Sequence, residues 1–104
     1  NIDNDPAKAG AKIDDVETLV GEVAALPNLR LRGLMAILSQ ATDPATGYQS
    51  MAQLAARLKA QLAADEAVFW DTLSIGMSGD MNSAIAAGAT HVRIGTALFG
   101  PRAT

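Results

Sequence analysis

The chain has 104 residues, with 49% apolar and 18% charged side chains. That is enough for one domain with a single small core, and it excludes a disordered, charge-rich polymer. No apolar run approaches the roughly 20 residues that cross a bilayer as a helix. Cysteine is absent and His91 is the lone histidine, which excludes a disulfide framework and a Cys/His metal cluster.

A net charge of −3, scattered basic residues and four aromatics argue against nucleic acid as a partner. Asn1 opens the chain with no methionine, basic n-region or apolar h-region. The start therefore reads as a cut, no secretory signal is expected, and a cytoplasmic location fits best.

In chain order, Asn1 to Asp3 is expected to be the remnant of a strand. Ile13, Val16, Leu19, Val20, Val23 and Leu26 recur at three and four, which predicts an amphipathic helix with Asp14, Asp15 and Glu17 in its first turn. Pro27 and Asn28 stop it. Leu29 to Ile37 (LRLRGLMAI) reads as a buried strand. Thr42 to Gly47 (TDPATG) has loop chemistry, and Met51, Leu54, Ala55, Leu58 and Leu62 mark one face of a second helix.

A short strand over Thr72 to Gly76, a helix over Asp80 to Ala87 closed by Gly88, and a strand over His91 to Gly95 complete the series. No tandem repeat, low-complexity tract or linker divides residues 1–104. Alternating strands and helices predict βαβ units and a parallel sheet, since parallel neighbours need a crossover.

Two segments stand apart, LSIGMSGDMNSAIAAG (Leu73 to Gly88) and HVRIGTALFGPR (His91 to Arg102). Each runs from a strand through a glycine turn into a helix start. Gly76 and Gly79 flank Ser78, and Gly95 with Thr96 occupies the equivalent place in the second. First-turn amides without intrahelical partners, joined by a serine hydroxyl, suit a phosphate. Either turn alone is also what an ordinary capped helix looks like. Two together at the ends of neighbouring parallel strands form the pair of loops where barrels hold phosphate.

Strand alternation puts Leu73 and Ile75 on one face and Ser74 on the other, with Arg93 opposing Val92 and Ile94. If the oily faces pack on helices, Ser74 and Arg93 point into the barrel or the sheet crevice. A buried Arg93 must then find a carboxylate or a ligand atom; an exposed one is simply solvated. His91, at the start of its strand, reads as structural. Lys8 and Lys12 read as surface lysines, Arg30 and Arg32 as solvated or salt-bridged, Met35 and Met77 as core filler, and Asp80 as an N-cap or first-turn acid. No dinucleotide, Walker, nucleophile-elbow or zincin motif occurs.

LSIGMSGDMNSAIAAGATHVRIGTALFGPR, together with LRLRGLMAI and NIDNDPAKAG in that order, resembles the pyridoxal phosphate homeostasis proteins of the YggS and PROSC type. The resemblance spans all but Gln40 to Trp70. It implies an α/β fold, the C-terminal half of a (β/α)8 TIM barrel like the alanine racemase N-terminal domain, roughly strands five to eight, holding pyridoxal 5'-phosphate (PLP) at the strand C-termini.

It further implies that Ser78 binds the phosphate, that the amides of Gly95 and Thr96 complete the cup, that Arg93 faces the pyridine nitrogen, and that Ser74 supports Arg93 or the ring. The Schiff-base lysine of the family has no counterpart among Lys8, Lys12 and Lys59. A half-barrel leaves open strand edges, so the absent N-terminal half or a second copy is an expected partner. The implied role is a non-enzymatic PLP carrier in vitamin B6 homeostasis. The alternative is a fragment of a racemase-like PLP enzyme of the same barrel class.

Overall fold

The computed structural model describes residues 1–102. The elements are α1 (Ile13–Ala24), β1 (Gly33–Met35), α2 (Pro44–Gln61), α3 (Ala64–Ala67), β2 (Thr72–Ser74), α4 (Met81–Ala87) and α5 (Thr96–Phe99). β1 and β2 pair in parallel with Gly33 opposite Thr72 and Met35 opposite Ser74. A single parallel bridge joins Ser74 to His91 on the other side of β2.

The parallel order expected from the sequence is present, but the strands are shorter. The stretch Leu29 to Arg32 lies outside the ladder because its would-be partner is committed elsewhere. The amides of Phe69 and Trp70 donate to Glu66 and Ala67, and pairing begins only when Asp71 and Thr72 both donate to the Arg32 carbonyl. Gly33 permits this close start, since a Cβ there would overlap the Thr72 carbonyl oxygen.

The expected strand over His91 to Gly95 reduces to the one bridge, supported by Ile75 N–H donating to the His91 carbonyl and Arg93 N–H to that of Gly76. Asn1 to Asp3 is not a strand. Asn1 and Asp5 exchange hydrogen bonds through the Asn1 side chain, and Asn4 takes a φ of 55°, so the backbone turns instead of extending.

The segment Thr42 to Gly47 is also corrected. α2 starts inside it: Asp43 caps the helix by accepting from the Thr46 amide, and Pro44 occupies the first turn, where its missing N–H costs nothing. α2 then carries the core on one stripe. Tyr48 and Met51 pack with Ala36, Leu73, Ile75 and Ala84. Leu54 and Leu58 pack with Val20 and Trp70, whose indole N–H donates to the Ala55 carbonyl at 3.0 Å. Burying a side chain such as Leu58 or Ile75 contributes about 1.5–3 kcal/mol.

α1 starts at Ile13 as predicted but ends at Ala24, short of Leu26, and only Val20 on it is buried. Leu19, Met35 and Ile37 remain exposed.

Candidate functional site

Beyond β2 the fully buried Ile75 fixes the strand end, and Gly76 turns the chain at a φ of 104°. A Cβ at Gly76 would stand 2.6 Å from that of Ala84, so glycine is required both by the backbone and by the close approach of α4. The following turn, Met77 to Asp80, is closed by the Asp80 amide donating to the Met77 carbonyl.

Asp80 sits at the N-cap position of α4 but its carboxylate caps nothing. One oxygen accepts from the Met77 amide at 2.8 Å and the other from the Tyr48 hydroxyl at 2.7 Å. Burial, and then the Asp80 carboxylate it donates to, push the Tyr48 phenol well above its ordinary range. It stays a hydrogen-bond donor at any physiological pH.

The second turn places Gly95 before α5, whose Leu98 and Phe99 amides close onto the Gly95 carbonyl. The Ala97 amide, one of the first-turn donors without an intrahelical partner, donates to Ser78 Oγ at 2.9 Å. The two glycine turns therefore sit side by side on one rim. A Cβ at Gly79 or Gly95 would meet nothing within 4 Å, so the space above both turns is open. Among the described residues the Gly95 and Thr96 amides find no acceptor.

One part of the physical expectation changes. α4 has seven residues and α5 four, too few to sum to a substantial macrodipole. Individual amides and the hydroxyl are the donors.

Arg93 lies across the strand ends. Its guanidinium donates to Ser74 Oγ at 2.5 Å, to the Ser74 carbonyl at 3.1 Å and to the Ala36 carbonyl at 2.9 Å. The expected neighbourhood of Ser74 and Arg93 is thus present. The expectation named a carboxylate or a ligand atom as acceptor; among the described residues backbone carbonyls and a hydroxyl take that place.

His91 is exposed, its Nδ1 2.9 Å from Thr90 Oγ1. Thr90 Oγ1 also accepts from the Leu73 amide at 2.8 Å, which ties this segment to β2.

Lys8 is not a free surface lysine. Its ammonium donates to the Ile37 carbonyl and lies 3.7 Å from Asp3, at the same rim as Ala36. Asp3 in turn accepts from the Ser39 amide and the Thr42 hydroxyl. Burial works to raise the Asp3 carboxyl, but these donors and Lys8 together hold it below its ordinary value. At the far end of the strands Arg32 grips Asp71 with two bonds, 3.0 and 2.6 Å, and Arg30 stacks 3.7 Å from the Phe69 ring centre.

Tyr48 was missed by sequence reading because it falls in the segment Gln40 to Trp70 that carries no motif. The usable signal was its place three residues before Met51 on the apolar stripe of α2, with a polar tip that a buried tyrosine must satisfy.

The family model for the alanine racemase N-terminal domain matches residues 1–103. The pyridoxal phosphate homeostasis protein of Pseudomonas aeruginosa is 45% identical over 102 residues, covering 98% of this chain and 42% of that protein. Its counterpart in Escherichia coli K12 is 45% identical over 105 residues, covering 98% and 43%.

A solved structure of PipY from Synechococcus elongatus with PLP bound superposes with a TM-score of 0.76 at 31% identity, covering 90% of this chain and 44% of that one. PipY without PLP gives 0.78 at 33%, covering 92% and 45%. The chain spans less than half the length of the curated relatives it matches. It belongs to the alanine racemase N-terminal domain family.

Proposed function

We propose that this chain carries the phosphate-binding part of a PLP site in a protein of intracellular vitamin B6 homeostasis. The observation that carries the reading is the Ser78 to Ala97 hydrogen bond. A hydroxyl has one donor and two acceptor positions. Ser78 Oγ, accepting from Ala97, keeps its own proton to donate, and the Gly95 and Thr96 amides stand beside it. That donor set fits a phosphate dianion, and the short helix after the glycine turn is the device barrels use for the purpose.

When bound, PLP supplies a reactive aldehyde and an electron-accepting ring. This chain's residues would hold the other parts of the molecule. Ser78, Gly95 and Thr96 would bind the phosphate. Arg93 has five donor hydrogens, of which the sheet engages some at Ser74 and Ala36, so it would donate the rest toward the pyridine nitrogen, with Ser74 fixing its plane. A permanently protonated arginine cannot accept the proton of a pyridinium, so the nitrogen opposite it would stay unprotonated, which suits carriage better than carbanion chemistry.

A non-enzymatic carrier is therefore favoured over a racemase-like enzyme. Near the cup Tyr48 and Asp80 hydrogen-bond each other, and neither reads as a free acid or base. We also propose that the chain forms the later strands of a (β/α)8 barrel, roughly strands five to eight. The exposed apolar side chains Leu19, Met35 and Ile37 would be covered by the barrel's other half or by a second copy, which in the former case would bring the Schiff-base lysine. A cytoplasmic setting belongs to the same proposal.

The test is competition. Titrating the protein with PLP and with inorganic phosphate by calorimetry should give one site for which the two compete. PLP binding that phosphate does not displace would overturn the assignment.

A further inference from the structure

We infer that Tyr48 is a positioning residue for the phosphate turn: its hydroxyl, acting through Asp80, sets where Ser78 stands. The inference rests on the reading of that turn as the anion cup and adds to it a residue from an element with no part in the cup itself.

The geometry runs in a chain of contacts. Tyr48 is 1% exposed, so it cannot touch a ligand. Its hydroxyl reaches under the turn after β2 and donates to Asp80 at 2.7 Å, while the second Asp80 oxygen takes the Met77 amide at 2.8 Å. Because the carboxylate caps no helix, these two bonds are what it does. They brace both ends of the four-residue turn that carries Ser78 and Gly79. On the other side of that turn Ser78 Oγ meets the Ala97 amide. A buried phenol thus holds the base of the cup while α5 holds its lip.

The arrangement has an electrostatic cost that shows its purpose. A carboxylate beneath a dianion site opposes anion binding. Its retention there is intelligible if both of its hydrogen bonds are needed to hold the turn, and that distinguishes geometry from charge.

The experiment uses the full chain and inorganic phosphate as probe. In Tyr48→Phe the ring still fills its place, so circular dichroism and Trp70 fluorescence should match the parent. In the ligand-free variant the Ala97 amide resonance should shift and its hydrogen exchange should accelerate, and phosphate affinity should fall roughly threefold to tenfold, the range for one ordinary hydrogen bond.

Asp80→Ala should reproduce both effects. Asp80→Asn, whose amide can still accept from Met77 and can donate to the Tyr48 oxygen, should keep the Ala97 signal and bind phosphate at least as tightly as the parent. An unchanged Ala97 signal in Tyr48→Phe overturns the inference, as does Asp80→Asn behaving like Asp80→Ala. If the parent takes no phosphate while Tyr48→Phe still displaces the Ala97 signal, the positioning link stands and the cup assignment is what fails.

Discussion

Ser78 and Ala97, 19 residues apart in sequence, meet through a 2.9 Å hydrogen bond from the Ala97 amide to the serine oxygen. This contact brings the turn after β2 and the turn before α5 onto one rim. Ser78→Ala removes both the acceptor for Ala97 and the onward donor. Phosphate affinity should drop about tenfold, the effect of losing one hydrogen bond of about 1.4 kcal/mol to a charged group. Calorimetry checks it, and an affinity equal to the parent would remove Ser78 from the cup.

Arg93 spans Ser74 and Ala36 rather than the glycine turns. Arg93→Ala should therefore weaken PLP binding more than phosphate binding. Equal losses in parallel titrations would place the guanidinium at the phosphate. The same variant loses a brace across the strand ends, so a fall of about 1–3 kcal/mol in unfolding free energy is expected, measured by urea titration with Trp70 fluorescence.

Gly76 makes the sharpest demand on sequence. Gly76→Ala places a methyl 2.6 Å from Ala84 at a backbone φ of 104°, a conformation that costs a non-glycine residue about 1–3 kcal/mol before the clash is counted. Its urea midpoint should fall by at least that equivalent. A variant as stable as the parent would mean that α4 can shift freely.

Asp71, gripped by Arg32, is held down to about 2 from an ordinary 3.8. A carboxylate with a depressed folded-state pKa stabilises the fold above its unfolded value and loses that contribution as pH falls through the folded one. The window is therefore about pH 4 down to about pH 2. The pair is solvent-exposed, so its effect on stability is small and screened by salt. Carbon-detected titration should find the Asp71 midpoint near 2, moving back toward 3.8 in Arg32→Gln.

Much of this was legible in the residues, for identifiable reasons. The spacing from Ile13 to Leu26 located α1, which ends two residues earlier at Ala24, and Gly88 marked the end of α4, where it takes a φ of 106°. The turn after β2 was legible because Gly76 answers to backbone geometry, a φ of 104°. Strand lengths were not legible, since they depend on where the partner's backbone is already spent, as at Phe69 and Trp70.

The start of α2 was hidden because Asp-Pro serves a loop and a helix cap equally well. The position of Asp80 suggests an N-cap or first-turn acid, whereas a tyrosine 32 residues away decides what its carboxylate does. The uncovered flank of α1 was equally invisible, since periodicity reports which face is apolar and not what covers it.

The central claim is that both glycine turns hold one anion together. It is tested most directly by following backbone amide resonances while inorganic phosphate is added. The account predicts that Ser78, Gly79, Gly95, Thr96 and Ala97 shift together along one saturating curve, with Arg32 and Asp71 at the far end unmoved. Shifts confined to a single turn, two different curves, or movement only at the far end would contradict it.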